Sequence, residues 1–172
     1  DKRRELIYGF VKLMSPAPST IHQQVLWNIS SQLSPYLRKK PCKAFFAPFD
    51  VRLPEKGETS DDKIYSVVQP DICIICDRSK IDERGCLGAP DMIIEILSKK
   101  NPQRDVQEKY ELYEKAKVKE YWIVHPNDQT VTVFILDESG KYQLVGIFAG
   151  DTKVKVNIFN DLEIDLNEIF EE

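Results

Sequence analysis

Two strongly apolar segments decide the fold of this chain, QPDICIICD at residues 69–77 and PDMIIEIL at residues 90–97. The first carries a carboxylate near its start, Asp71, and the second carries one in its interior, Glu95. Burying a carboxylate among such side chains is costly unless a cation or a hydrogen-bond network compensates it. These two acids are therefore the first candidates for a functional site.

Both segments have the continuous apolar character of central strands that are covered on both faces. A polar turn follows the second segment and leads into a helix predicted for residues 102–117, with Asn101 as its N-cap and Pro102 at its first position. One face of this helix is apolar, and it carries Val106, Tyr110 and Tyr113. The pattern predicts a helix that packs against the two strands.

The residues before these segments predict a strand or hairpin over 5–14, a helix from Thr20 and a strand over 42–53. Gln23 follows Thr20 at capping-box spacing, which favours a helix start there. Helical spacing predicts that the helix buries Ile21, Val25, Ile29 and Leu33.

The residues after the second helix predict three strands, at 120–125, 130–136 and 142–148, joined by turns as a C-terminal β-meander. A short strand near Val154 and a helix over 166–170 end the chain. The fold class predicted from this order is a mixed α+β protein, with a mixed central β-sheet flanked by helices.

Composition sets limits on the class of protein. A chain of 172 residues favours one domain over 1–172, and no apolar run reaches the roughly 18 residues of a membrane span. The net charge of −4 argues against coating nucleic acid by bulk attraction, although a local positive field is compatible with it. We expect the four cysteines to be buried, inert thiols and the protein to be cytoplasmic.

The geometry of a strand decides which acids can share a metal ion. Asp91 and Glu95 lie on one strand face but about 13 Å apart, at roughly 3.3 Å per residue. Asp71 and Glu95 lie on different strands, and neighbouring strands are only about 4.8 Å apart. If these strands pair, Asp71 and Glu95 can hold Mg²⁺ or Mn²⁺, and the backbone carbonyl of Ile96 could add a ligand.

The helix after the second strand carries a lysine, Lys109, that could lie beside Asp71 and Glu95. Asp105, Lys109 and Tyr113 recur at four-residue spacing and line one side of the helix, so that Lys109 could point toward Glu95. A metal ion held by two acids activates water and stabilises a phosphate, and a lysine can orient that water. The residues thus predict a phosphodiester-cleaving site formed by Asp71, Glu95 and Lys109.

A set of sequence blocks in a fixed order resembles one known family. The blocks are Glu5-Leu6-Ile7-Tyr8-Gly9, Met14-Ser15-Pro16 followed by His22, Phe49-Asp50-Val51-Arg52-Leu53, Pro70-Asp71, Gly88-Ala89-Pro90-Asp91 through Glu95 and Ser98, and Asn101, Asp105, Lys109, Tyr113, Val118, Glu120-Tyr121-Trp122 and Pro126. They cover nearly the whole chain and resemble the Uma-two family of restriction endonucleases, within the PD-(D/E)XK nuclease superfamily. The resemblance implies a restriction-endonuclease-like fold and Mg²⁺-dependent DNA cleavage, with Asp71 as the PD aspartate and Glu95 as the second acid.

The chain departs from the superfamily pattern at one position. Leu97 stands where the lysine is expected, two residues after Glu95. The resemblance implies that an equivalent lysine comes from the next helix, where Lys109 matches. Lys99, four residues after Glu95, is the rival, and we favour Lys109.

Other residues have a functional and a structural interpretation. His22 could contact phosphate or the active site, or it could be a structural histidine. Asp91 could set the strand entrance, and Asp105 could form an ion pair with Lys109 at i, i+4 spacing. The alternative function is a catalytically inactive nuclease fold that serves as a DNA-binding or assembly module. For a nuclease that cuts duplex DNA we expect a homodimer.

Overall fold

The computed structural model describes residues 3–14, 17–55, 58–98 and 102–171, which are called the described residues below. Their strands are β1 (Arg4–Ile7), β2 (Phe10–Leu13), β3 (Lys43–Phe46), β4 (Val51–Arg52), β5 (Val67–Val68), β6 (Ile72–Ile75), β7 (Ile81–Asp82), β8 (Gly85–Leu87), β9 (Met92–Ile96), β10 (Glu120–His125), β11 (Thr130–Leu136), β12 (Tyr142–Ala149), β13 (Lys153–Lys155) and β14 (Glu163–Asp165). Their helices are α1 (Thr20–Leu37), α2 (Gln103–Ala116) and α3 (Leu166–Phe170), with short 3₁₀ turns at Asp61–Lys63 and Arg78–Lys80.

The main sheet has six strands in the order β12-β11-β10-β9-β6-β3. Strands β9 and β10 are parallel and the other neighbours are antiparallel, so the sheet is mixed and β10-β11-β12 form the predicted meander. The two apolar segments are neighbours, and Ile72 of β6 lies opposite Ile94 of β9. This register places Asp71 opposite Glu95, as the metal hypothesis requires.

Helices cover both faces of the main sheet. Helix α1 packs with α3 on one face, and helix α2 packs on the other, where it buries Leu112 and Tyr113. This arrangement explains why every residue of β6 and β9 is buried. The prediction of a mixed α+β fold is confirmed.

Helix α1 buries three of its four predicted core residues, Val25, Ile29 and Leu33. Its buried residues include His22, whereas Ile21 is 45% exposed, so the prediction that Ile21 is buried was wrong. The N-cap is Ser19, whose hydroxyl accepts the His22 N–H. The cap therefore lies one residue before the predicted Thr20, and His22 faces the main sheet. The Asn101 cap predicted for α2 lies outside the described residues.

A second sheet, in the order β2-β1-β5-β4-β8-β7, lies beside the first. The single strand predicted for 42–53 is two strands in the structure. The first, β3, belongs to the main sheet, and the second, β4, belongs to this second sheet. Pro48 stands between them, and a proline has no N–H to donate to a ladder. The segment between β6 and β9 contributes β7 and β8 to this sheet.

The prediction of four inert thiols was wrong for two of the cysteines. Cys42 and Cys76 form a disulfide, while Cys73 and Cys86 are buried free thiols. The pairing of Lys43 with Ile75 brings the flanking cysteines opposite each other on neighbouring strands. Sequence alone could not reveal this contact, because it depends on the pairing of β3 with β6.

Within the described residues, no helix combines the length and the hydropathy needed to cross a membrane.

Candidate active site

The two predicted acids meet at one end of the main sheet. Asp71 precedes β6, and its Oδ2 atom accepts the backbone N–H of Ile96 at 2.7 Å. Its Oδ1 atom lies 3.2 Å from Nε2 of His22, which the first turn of α1 directs to this end of the sheet. A backbone N–H of β9 and the His22 side chain of α1 thus fix the two oxygens of Asp71.

Glu95 lies inside β9 and is 8% exposed. Its Oε1 atom accepts hydrogen bonds from Nζ of Lys109 at 2.9 Å and from the hydroxyl of Tyr113 at 2.6 Å. Lys109 and Tyr113 are four residues apart on α2, so both point to the same carboxylate. The structure therefore brings Asp71, Glu95, Lys109 and Tyr113 together.

A third acid, Glu5, belongs to this cluster. It lies on β1 of the second sheet, is 7% exposed, and its Oε1 atom is 3.1 Å from Nζ of Lys109. The same oxygen accepts the backbone N–H of Gln69 at 2.8 Å. Sequence reasoning missed a role for Glu5, although an acid within an apolar hairpin in the first family block was a usable signal.

Burial and the neighbouring charges shift the titration of the cluster. Burial raises the pKa of Glu95 to about 7, against the lowering effect of Lys109, and nearby Asp71 and Glu5 add to the rise. Burial lowers the pKa of Lys109, but the facing carboxylates of Glu95 and Glu5 outweigh this and raise it above its usual value. Lys109 therefore stays protonated at neutral pH.

His22 is held by its acidic neighbour. Burial lowers the pKa of His22, but the hydrogen bond with Asp71 and the charges of Asp71 and Glu95 leave it above the usual value. The backbone of Ile96 also raises this pKa. The other ring nitrogen, Nδ1, is buried without a hydrogen-bond partner among the described residues.

The oxygens that could hold a metal ion here are those of Asp71, Glu95 and the Ile96 carbonyl. Two carboxylates and a carbonyl are hard oxygen ligands of the kind that Mg²⁺ and Mn²⁺ bind. Three acids, of which Glu5 and Glu95 are buried, face one lysine and one histidine, so a divalent cation would reduce an excess of negative charge. No group of three His, Cys, Asp or Glu side chains within the described ranges is arranged as a metal site, so the donor set depends on the backbone oxygen.

Asp91 and Asp105 take no part in this cluster. Asp91 is at the far end of β9, where it accepts the Cys76 N–H at 2.7 Å and pairs with Lys119 at 2.6 Å. The predicted pair between Asp105 and Lys109 was wrong, because Lys109 reaches Glu95 and Glu5 instead. Lys99 lies outside the described residues.

The cluster opens into a cleft of about 660 Å³. Its lining includes Glu5, His22, Asp71, Glu95 and Lys109, and Asp105 lies on its wall. Apolar and basic side chains from the β1–β2 hairpin and from α1 complete the rim, among them Arg3, Lys12, Leu13, Ile21 and Leu26. A substrate can therefore approach the acids and the lysine from one side.

The fold and the site define a mixed α+β protein with a buried acid–lysine centre at one end of its main sheet. The chain belongs to the family described as "Uma2: Putative restriction endonuclease", which matches residues 1–167.

A solved structure is similar over most of the chain. It is described as a putative nuclease belonging to DUF820 from Anabaena variabilis ATCC 29413. The TM-score is 0.74 at 23% identity, covering 97% of this chain and 89% of that one, which supports the shared fold. No curated protein matches the chain.

Proposed function

We propose that this protein is a metal-dependent endonuclease that hydrolyses phosphodiester bonds of DNA. The observation that carries the proposal is the meeting of Asp71 and Glu95 across two strands, with the Lys109 ammonium 2.9 Å from Glu95. The family is described as "Putative restriction endonuclease", and the similar solved structure is described as "a putative nuclease". A cleft in front of these groups gives a substrate access to them.

Asp71, Glu95 and the Ile96 carbonyl would hold Mg²⁺ or Mn²⁺. These oxygens suit either ion, and the excess of buried acid favours a cation there. When bound, the ion would supply Lewis-acid polarisation of the scissile phosphate and activation of water.

The protein's own groups would position and stabilise the reaction. Lys109 is buried and protonated, so its ammonium can stabilise negative charge that develops on the phosphate or orient the attacking water. The Tyr113 hydroxyl fixes the Glu95 carboxylate from the side of the helix. His22 would position Asp71, whose Oδ1 atom it contacts.

Glu5 would act as a positioning residue for Lys109. It contacts Nζ of Lys109 and also the backbone N–H of Gln69, two residues before Asp71. A single carboxylate oxygen thus links the lysine to the segment that carries the metal-binding aspartate. Glu5 and Glu95 together limit the positions that the ammonium group can take.

A plasmid-nicking assay tests the proposed function. We expect cleavage with Mg²⁺ or Mn²⁺, none with EDTA, and a loss of at least about 100-fold in Glu95→Gln and Lys109→Gln, the range typical for electrostatic catalytic groups. Glu111→Gln is the matched control, since Glu111 is an exposed acid on α2 that bonds only Gln107 among the described residues. Cleavage that survives Glu95→Gln would refute the assignment of the site.

One observation favours a second function, an inactive nuclease fold that binds DNA or serves in assembly. The site groups satisfy one another, because His22 engages Asp71 while Glu5 and Glu95 both hold Lys109. Duplex binding without cleavage under every divalent metal tested would favour this alternative.

We also propose a homodimer, because a twofold pair is the simplest arrangement for cutting both strands of a duplex. Light scattering at working concentration tests the proposal, and a mass of one chain under all conditions would contradict it.

A further inference from the structure

A group of five cations forms what we call the α1–β3 basic surface: Arg38, Lys39, Lys40, Lys43 and Arg78. Residues 36–49 contain four of these cations and no acid, in a chain with a net charge of −4. Arg78 joins them because its Nε atom donates to the Pro41 carbonyl at 3.1 Å. The disulfide between Cys42 and Cys76 ties the two chain segments together at this point.

Within the described parts of the chain, none of the five cations forms an ion pair with an acid. The Lys40 ammonium lies 4.7 Å from the centre of the Tyr36 ring. Two acids border the surface: Asp77 accepts hydrogen bonds from Ser79, and Asp161 accepts one from the Tyr36 hydroxyl, which together with the charge of Lys40 lowers its pKa. Five cations against two acids leave the surface with a net positive charge for a partner.

The basic surface and the cleft lie at the two ends of one edge strand. Strand β3 begins at Lys43, and Ala47, which follows its last residue, lines the cleft and donates to the Asp71 carbonyl at 3.2 Å. Four residues of extended chain span about 13 Å. This corresponds to about four base pairs of duplex DNA at roughly 3.4 Å per base pair.

The position of the basic surface next to the cleft could offset the repulsion between the acids of the site and the phosphates of a nucleic acid. The acids in the cleft and the net negative charge of the chain repel a polyanion, so a nucleic acid needs a positive region nearby to approach the site. The last strand of the main sheet leads from such a region directly to Asp71.

We propose that the α1–β3 basic surface binds the phosphate backbone of double-stranded DNA about four base pairs from the phosphate in the cleft. This inference rests on the proposed function, because it names the surface that holds the substrate of that site. Contacts to phosphate carry no sequence information, so the surface would set the position of the duplex and not the sequence that is cut.

The test measures binding separately from cleavage. Anisotropy of a labelled 20-base-pair duplex is followed in EDTA at several salt concentrations, for the full chain and for Lys39→Gln/Lys43→Gln. The matched control is Lys153→Gln/Lys155→Gln, which makes the same change in net charge at two exposed lysines of β13. Thermal unfolding checks that both variants fold.

We expect the basic-surface variant to bind at least about 5-fold more weakly, and its log–log salt slope to fall by about two, one for each lost phosphate contact. The control variant should retain both values. Equal effects of the two variants, or no effect of either, would overturn the inference. The single variant Lys43→Glu gives a second readout, and unchanged binding there would also count against it.

The outcome is distinguishable from failure of the proposed function. Cleavage by the wild-type chain with an unchanged salt slope in Lys39→Gln/Lys43→Gln would leave the nuclease proposal intact and remove the surface proposal. A reduced salt slope in this variant, without any cleavage by the wild-type chain, would keep the surface proposal and remove the nuclease proposal.

Discussion

The ammonium group of Lys109 lies 2.9 Å from the carboxylate of Glu95, although the two residues belong to a helix and to a central strand. The contact places a lysine beside the second acid even though Leu97 occupies the position two residues after it. A buried ion pair of this kind is costly to disrupt from one side, because the remaining charge is left without compensation.

Removing the ammonium should damage both stability and activity. Lys109→Met leaves Glu5 and Glu95 buried without their cation, and we expect a loss of roughly 3–5 kcal/mol in the free energy of unfolding. Urea unfolding measures this loss. The control is Lys115→Met, an exposed lysine on the same helix, which should cost less than about 1 kcal/mol. Equal losses in the two variants would contradict the role of Lys109 as the buried cation.

Glu5→Gln should separate positioning from metal binding. The glutamine can still accept the Gln69 N–H but no longer carries a charge for Lys109. We expect kcat to fall about 10-fold, which is less than the loss expected for a fully misplaced catalytic group. The KM for DNA and the Mg²⁺ concentration at half-maximal rate should change little. Steady-state kinetics with a metal titration checks this, and a large shift in the metal requirement would assign Glu5 to the metal instead.

Glu95 should make the metal-free protein less stable as pH rises. Its pKa is raised to about 7 in the folded chain, from a usual value of 4.5. A carboxyl group whose pKa is higher in the folded chain than in the unfolded chain stabilises the fold while it is protonated. This stabilisation is complete below the unfolded value and is lost as the pH rises through about 7. In EDTA, the melting temperature of Glu95→Gln relative to wild type should therefore increase between pH 5 and pH 8. A difference that stays flat across this range would contradict the raised pKa.

The hydroxyl of Tyr113 should stabilise the site measurably. It donates to Glu95 at 2.6 Å in a fully buried position, and a hydrogen bond to a charged group contributes about 1.5–3 kcal/mol. Tyr113→Phe should lose about that much in urea unfolding. Tyr110→Phe is the comparison, since Tyr110 lies on the same helix in aromatic contact with Phe134 and Tyr142. A loss in Tyr110→Phe as large as that in Tyr113→Phe would show that the bond to Glu95 is not the cause.

Much of the fold could be predicted because its signals are local. The apolar runs of β6 and β9, the helix α2 and the three-stranded meander all follow from periodicity and turn residues along the chain. The two acids stood out because carboxylates are rare in strands that are otherwise apolar. Strand spacing alone then excluded Asp91 as a partner of Glu95 for one ion, and Asp91 is bonded to Cys76 and Lys119 instead.

The errors fall where position depends on packing between distant segments. The first turn of α1 was misjudged, because Ile21 is exposed and His22 is buried and reaches Asp71. The disulfide requires the pairing of β3 with β6, which no spacing of cysteines reveals. The strand predicted for 42–53 was divided because the second sheet offered the residues after Pro48 another set of partners.

The sequence by itself determined the two strands, the helix that follows them and the acids Asp71 and Glu95, because burial preference and periodicity are properties of short segments. Only the tertiary structure decided that Lys109 meets Glu95, that Glu5 holds the lysine from a second sheet and that His22 contacts Asp71. Those contacts join residues up to 104 positions apart. They depend on strand register and on how each helix lies on the sheet, which are set by the packing of the whole chain.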